Sequence, residues 1–123
     1  MKEIVDEVLA ELQAGHDFAL VRLVAEQGST PRRAGAEMLV RRDGSIAGTI
    51  GGGLLEATMM RKAGEVLESG RSEVTSMGLR GTDVGSADEM ICGGAAQVLI
   101  AYVAPGDAVL AEVCAALREA ASA

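Results

Sequence analysis

Three consecutive glycines, Gly51, Gly52 and Gly53, place the strongest constraint on how this chain can fold. An apolar stretch at residues 46–50 predicts a strand before them, and helical periodicity at residues 54–69 predicts a helix directly after them. The first turn of a helix has unpaired N–H groups and a partial positive charge, and glycines let an anion approach the backbone closely. The pattern is neither G-x-G-x-x-G nor a P-loop. It therefore predicts either a tight structural turn or an anion site.

The rest of the chain alternates between helical and extended patterns, and the sequence Asp43-Gly44 predicts a tight turn between two strands. Helices are predicted over residues 2–14, 54–69 and 108–120, and strands over residues 18–25, 38–41, 46–50, 71–79 and 95–103. The last strand is nearly continuously apolar and is the best candidate for a central one. We therefore expect one α/β domain over residues 1–123, with a mixed β-sheet, a β-hairpin and about three flanking helices.

Charge and composition exclude several classes of partner. The net charge of −7 argues against a nucleic-acid or anionic-membrane surface, which would need a basic face. No stretch approaches the roughly 20 apolar residues of a membrane span, and the acidic, amphipathic N-terminus does not resemble a secretory signal. Two cysteines do not make a disulfide framework, so we expect a cytoplasmic protein with reduced thiols.

Three glycine-bearing loops, at residues 27–35, 51–53 and 80–94, each adjoin a predicted strand. Long glycine-rich loops in a small domain are usually functional or mobile. If the strand ends lie at the same edge of the sheet, the loops converge on one crevice, where ligands commonly bind on open sheets.

The first loop and the start of the second helix carry polar residues that are candidates for ligand binding. Each set has two interpretations. Ser29, Thr30, Arg32 and Arg33 offer donors suited to a phosphate or carboxylate, or they form a solvated charged turn. Glu56, in the first helical turn, is either a capping and dipole-compensating carboxylate or an acceptor for an N–H-rich heterocycle edge.

The two cysteines differ in their surroundings. Cys114 is in helical register with apolar residues and is predicted to be a core thiol. Cys92 precedes Gly93 and Gly94, whose backbone N–H groups could lower its pKa and let the thiolate bind a soft ligand; the alternative is a buried structural cysteine. His16 is the only histidine and is predicted to be a solvated loop residue, so a Cys-His hydrolase is weakly supported. The potential zinc ligands do not cluster.

Three motifs follow one another along the chain: GSTPRRAG at residues 28–35, then MLV at 38–40 with DGSIAGTIGGG at 43–53 and Glu56, and finally CGG at 92–94. Together they closely resemble the XdhC/CoxI family of accessory proteins of xanthine dehydrogenase and related molybdenum hydroxylases. The resemblance runs from about residue 21 to residue 103.

This resemblance implies a non-enzymatic role. Family members bind molybdenum cofactor (molybdopterin with its metal) as cargo, protect it while a terminal ligand is exchanged for sulfur, and help to insert it into the apo-enzyme. The expected partners are the molybdenum hydroxylase apo-enzyme and a cysteine desulfurase. The implied cofactor-binding residues are Ser29, Thr30, Arg32, Arg33, Gly51, Gly52, Gly53, Glu56, Cys92, Gly93 and Gly94, with Cys92 as the metal ligand and no catalytic residue.

Two departures from the family pattern matter. Many relatives have a cysteine directly after the glycine run, where this chain has Leu54, so Cys92 would bind without a second thiol. Full-length relatives also carry a second, Rossmann-like domain after this one, so we expect this sequence to be either a stand-alone first domain or a fragment. A short form could hold cofactor weakly, work with a separate second subunit, or dimerise. Two other functions stay open: a module that docks the hydroxylase or desulfurase without binding cofactor, and an enzyme using Cys92 as nucleophile or sulfur carrier. The missing general base argues against the enzyme.

Overall fold

The computed structural model describes residues 3–27, 35–78 and 95–122. In this part of the chain three helices flank a five-stranded sheet. The helices are α1 (Val5–Ala14), α2 (Gly53–Ser69) and α3 (Ala108–Ser122), and the strands are β1 (Phe18–Gln27), β2 (Glu37–Val40), β3 (Ile46–Gly48), β4 (Glu73–Gly78) and β5 (Ala95–Val103). The predicted α/β domain with a β-hairpin and three helices is confirmed.

The sheet has the strand order β3-β2-β1-β5-β4, and all four pairings are antiparallel. This differs from the mixture of parallel and antiparallel pairs expected from the sequence. Strands β3 and β4 do run in the same direction, but they lie at opposite edges because α2 crosses the face of the sheet between them. Strand β5 is paired on both sides, which is the interior position that its apolar sequence predicts.

Helix α2 covers one face of the sheet. The residues predicted to form its apolar face are all buried, namely Leu55, Met59, Ala63, Val66 and Leu67. They belong to one cluster with side chains of β1 and β5 such as Val21, Leu23, Val98 and Ile100. Each large side chain buried in this way contributes about 1.5–3 kcal/mol relative to exposure, so the cluster fixes α2 against the sheet.

Helices α1 and α3 cover the opposite face. The predicted apolar face of the first helix is buried there in full, and Cys114 of α3 is fully buried and unpaired. Burial raises the pKa of the Cys114 thiol. The prediction of a core thiol is therefore confirmed.

The β2–β3 hairpin turns through three residues, Arg42, Asp43 and Gly44. The Gly44 N–H donates to the Arg41 carbonyl and the Arg41 N–H donates to the Ser45 carbonyl, each over 2.9 Å. Gly44 has a φ of +88°, as expected of the left-handed residue that ends a three-residue hairpin turn. The sequence Asp43-Gly44 therefore predicted the turn correctly.

Strand β3 ends at Gly48, two residues before the predicted end at Ile50. The backbone leaves the strand conformation at Gly48, whose φ is +78°. Ile50 is instead fully buried in the cluster beneath α2. This buried side chain anchors the short connection that leads into the glycines.

Within the described residues, none of the helices is both long enough and apolar enough to span a membrane.

Candidate functional site

Three strand ends that adjoin the glycine-bearing loops lie toward one end of the sheet. Gln27, at the end of β1, and Gly78, at the end of β4, both pair with Ala95 at the start of β5. Gly48, at the end of β3, pairs with Met38 near the start of β2, which lies toward the same end. Strands β1, β3 and β4 therefore end toward this side of the sheet, and β5 begins there.

Seven of the predicted site residues lie outside the described residues: Ser29, Thr30, Arg32, Arg33, Cys92, Gly93 and Gly94. Their convergence on one crevice stays a prediction. The structure does describe Gly51, Gly52, Gly53 and Glu56, so the site can be built from the second loop outward.

The glycine turn, by which we mean Gly51, Gly52 and Gly53, has φ angles of +124°, +75° and +64°. Residues that carry a Cβ rarely adopt these backbone conformations, so the backbone path itself requires three glycines. A Cβ built on Gly52 or Gly53 would meet no atom of the described residues within 4 Å, which leaves open space beside the turn in this part of the chain. The turn thus presents accessible backbone at the start of α2, where a ligand could approach.

A hydrogen-bond network closes the glycine turn. Glu56 Oε1 accepts a hydrogen bond from the Thr49 hydroxyl and a second, over 3.2 Å, from the Ile50 N–H. The Thr49 Oγ1 in turn accepts the Gly51 N–H over 3.1 Å. The carboxylate also lies in the first turn of α2, where a negative charge is favourable. Both partners of the Glu56 carboxylate precede the N-cap residue Gly52, so Glu56 links the connection before the glycine turn to the helix after it.

Thr49 is a site residue that the sequence reasoning missed. A detectable signal existed, because a threonine two residues before a glycine commonly accepts that residue's N–H. Its contact with Glu56, seven positions along the chain, could not be read from local pattern. The hydroxyl joins the end of the hairpin to the start of the helix.

Leu54 follows the glycine turn and has 57% of its surface exposed. An exposed leucine in the first turn of α2 contributes little to the core. It places an apolar side chain, rather than a thiol, beside the turn.

A second cluster of charged residues lies at the other end of the sheet. It lines a cavity of about 510 Å³ formed by Glu11, Gly15, His16, Asp17, Arg41, Arg42, Asp43 and Pro105. Arg42 donates two hydrogen bonds of 2.8 Å to Asp17 and one of 3.0 Å to the Leu67 carbonyl at the end of α2. The Tyr102 hydroxyl donates to Asp17 over 2.8 Å. This cluster ties the hairpin to α2 and β5.

The charges in this cavity largely satisfy one another. The hydrogen bonds from Arg42, together with the weaker one from Tyr102, hold the pKa of Asp17 below its ordinary value. Glu11 lies 3.0 Å from the His16 ring and 3.2 Å from Arg41 Nε. His16 is exposed and lies in the predicted loop. A structural role is the simplest interpretation of this cluster.

Among the described residues, no group of three or more His, Cys, Asp or Glu side chains could hold a metal ion. Cys92, the predicted metal ligand, lies outside these residues.

Comparison with known proteins relates the chain to a defined family. The XdhC and CoxI family matches residues 11–78. The uncharacterized protein YqeB of Escherichia coli is 41% identical over 85 residues, which are 68% of this chain and 15% of YqeB. The molybdenum cofactor insertion chaperone PaoD of E. coli is 42% identical over 60 residues, which are 49% of this chain and 19% of PaoD.

One solved structure extends the comparison to the fold. A crystal structure described as a xanthine dehydrogenase from Bacillus halodurans aligns with a TM-score of 0.65 and 27% identity, over 89% of this chain and 32% of that one. The chain therefore spans less than a third of each of these three similar proteins.

Proposed function

The chain belongs to the XdhC and CoxI family, and on that premise we propose that it binds molybdenum cofactor as cargo and helps to insert it into a molybdenum hydroxylase of the xanthine dehydrogenase type. The similarity to PaoD carries this proposal, because that relative is named as a molybdenum cofactor insertion chaperone. The solved structure described as a xanthine dehydrogenase supports the same class of partner. The two cysteines, too few for a disulfide framework, favour the cytoplasm as the compartment.

The geometry around the glycine turn suits one end of this cargo. Open space beside Gly52 and Gly53 lets a ligand reach the backbone at the start of α2, where N–H groups and the helix dipole favour an anion. The phosphate of molybdopterin has the matching charge. We assign the phosphate to this turn, assisted by the hydroxyl and guanidinium donors of Ser29, Thr30, Arg32 and Arg33 in the first loop.

The metal–sulfur end of the cofactor requires a soft ligand, and Cys92 with Gly93 and Gly94 is assigned to it. These residues belong to the segment between β4 and β5, both of which reach the same end of the sheet as β1. Leu54 supplies no second thiol, so one thiolate would hold the metal. We propose carriage without catalysis, in which the chain binds, shields and releases the cofactor. A cysteine desulfurase is proposed as the second partner, from which the sulfur ligand would come.

The proposal is tested by anaerobic titration of molybdenum cofactor into the purified protein, followed by gel filtration and measurement of the retained molybdenum. We expect the wild-type protein to retain cofactor and Cys92→Ala to lose about tenfold or more in affinity, an energy of roughly 1.4 kcal/mol. Cys114→Ala is the control for thiol number, because Cys114 is buried away from the turn in the core beneath α1 and α3. Failure of the wild-type protein to retain cofactor would refute carriage.

The arginines require a separate comparison. The double variant Arg32→Ala/Arg33→Ala should weaken retention, since a charge-assisted hydrogen bond to phosphate contributes more than a neutral one. Arg61→Ala/Arg71→Ala, which removes two exposed arginines, one in α2 and one just before β4, is the matched control for the loss of two positive charges. Equal retention by the double variant and the control would exclude phosphate binding by Arg32 and Arg33.

A docking module without cofactor is the second candidate, and the exposed Leu54 favours it. An apolar side chain beside the turn is better suited to a protein surface than to a metal–thiolate site. In that case the protein would bind the apo-hydroxylase or desulfurase in a pull-down assay, Leu54→Ser would weaken the binding, and Cys92→Ala would not. Gel filtration with light scattering would show whether a homodimer or a separate Rossmann-domain subunit takes part.

A further inference from the structure

We infer that Thr49 and Glu56 are positioning residues, which hold the glycine turn in the conformation that receives the cofactor, and that Glu56 acts through the turn rather than by contacting the pterin. This inference rests on the proposed function. It concerns one chain of contacts: Glu56 to Thr49, Thr49 to Gly51, and Glu56 to Ile50.

The first argument is that the contacts of Glu56 are internal. Its Oε1 accepts both the Thr49 hydroxyl and the Ile50 N–H. Thr49 uses its hydroxyl in both directions, since it donates to Glu56 and accepts from the Gly51 N–H. Removal of either side chain leaves backbone N–H groups of the turn without these acceptors.

The second argument is that, among the described residues, little else restrains the turn. Glycine loses more conformational freedom on folding than any other residue, and three in succession at positive φ form a segment that readily changes conformation. Within residues 3–27, 35–78 and 95–122, no atom lies within 4 Å of where a Cβ would stand on Gly52 or Gly53, so no described side chain packs against that position on either residue. The buried Ile50 anchors the segment before the turn, and the carboxylate of Glu56 links that segment to the helix after it.

The third argument concerns charge. A carboxylate in the first turn of α2 offsets part of the positive potential that would attract a phosphate. If the turn acted only by electrostatic attraction, it would therefore bind an anion more tightly without Glu56. Its value to the site is the rigidity that it gives to the turn, since a preorganised backbone loses less entropy when a ligand binds.

The experiment combines amide hydrogen exchange in the cofactor-free protein with titration of molybdenum cofactor. Thr49→Val and Glu56→Ala should each accelerate exchange at Ile50 and Gly51 and lower cofactor affinity, with factors of about ten in both measurements. Thr49→Ser and Glu56→Gln keep the hydroxyl and the acceptor oxygen, so each should restore exchange and affinity to within about threefold of wild type. The double variant Thr49→Val/Glu56→Ala should be little worse than either single variant, because all act on one network.

Val66→Ala is the control for a general loss of stability. Val66 is buried in the last part of α2, and its truncation should destabilise the domain without changing exchange at the turn relative to the global rate. The cofactor affinity of Val66→Ala, measured at a temperature well below the midpoint of its thermal unfolding, should then remain at the wild-type value. This separates positioning of the turn from stability of the fold.

The possible results are distinct. If Glu56→Gln loses affinity while exchange at Ile50 and Gly51 stays slow, Glu56 contacts the cofactor directly and the inference is overturned. If exchange accelerates in Thr49→Val but affinity does not change, the turn does not position the cofactor and the inference is again overturned. If the wild-type protein binds no cofactor, the proposed function fails first, and the cofactor-positioning role fails with it. Exchange then reports whether the network still orders the turn.

Discussion

Replacing Gly48 with alanine should destabilise the domain more than the same replacement at the tip of the hairpin. Gly48 ends β3 with a φ of +78°. A Cβ there would lie 2.6 Å from the Glu37 carbonyl oxygen and 2.7 Å from Ile4 Cγ2. The first of these neighbours is backbone of the paired strand β2, so it cannot move without disturbing the sheet.

Two terms set the magnitude. Forcing an alanine into the left-handed region costs about 1–2 kcal/mol, and forcing extra volume into a packed contact costs about 1–3 kcal/mol. Together they predict a loss of about 2–5 kcal/mol for Gly48→Ala. Gly44→Ala carries only the first term, because its φ is +88° but no atom of the described chain lies within 4 Å of the added Cβ.

Gly64 provides a control with the opposite sign. It lies inside α2 and has no positive φ, and a Cβ there would meet none of the residues that the structure describes within 4 Å. Gly64→Ala should therefore stabilise the domain by about 0.5–1 kcal/mol, because alanine has the higher helix propensity.

The assay is urea unfolding with linear extrapolation, and equal m-values across the series would show that only stability has changed. Losses for Gly48→Ala and Gly44→Ala that agree within about 0.5 kcal/mol would refute the steric argument. A destabilising Gly64→Ala would refute the assignment of Gly64 to an open helical position.

Two further predictions concern the charged cluster and the core. Because Arg42 and Tyr102 hold the pKa of Asp17 below its ordinary value of about 3.9, the stability due to ionised Asp17 is complete above that value and is lost as pH falls through the lower folded-state pKa. Urea unfolding at pH 7 and at pH 2–3 should therefore show a smaller loss of stability on acidification in Asp17→Asn than in wild type; an equal loss would contradict this. Met59→Ala should lower the free energy of unfolding by about 2–5 kcal/mol in the same assay at pH 7, because the Met59 side chain of α2 is fully buried against the sheet. Met60→Ala, at a partly buried position of the same helix, should cost less, and the reverse order would contradict the assigned helix face.

The local elements were predictable because each has a strong periodic pattern. The apolar residues of α1 and α2 recur at helical spacing, and the predicted buried faces agree with the structure. Strand β5 was recognisable as an interior strand from its continuous apolar sequence. The end of β3 was predicted two residues too late. Apolar Ile50 continues the strand pattern in the sequence, but in the structure its side chain packs in the core between α2 and the sheet.

The candidate site was predictable only in part. Three successive glycines indicated a special backbone path, and their positive φ angles agree with it. The sequence left two roles open for Glu56, because a carboxylate in a first helical turn suits both capping and ligand binding. Its contacts with Thr49 and Ile50 join it to residues before the helix, and no local pattern contains them.

Periodicity, turn residues and motifs are local properties, so the chain's helices, its hairpin and its family resemblance could all be read from residue order. Strand order and long-range contacts are different, because they depend on which elements become neighbours when the apolar faces are buried. The fully antiparallel sheet follows from the passage of α2 across one face, which carries β4 to the edge opposite β3. In the same way Tyr102 meets Asp17 across 85 positions only because β1 and β5 pair in the register that brings their ends together.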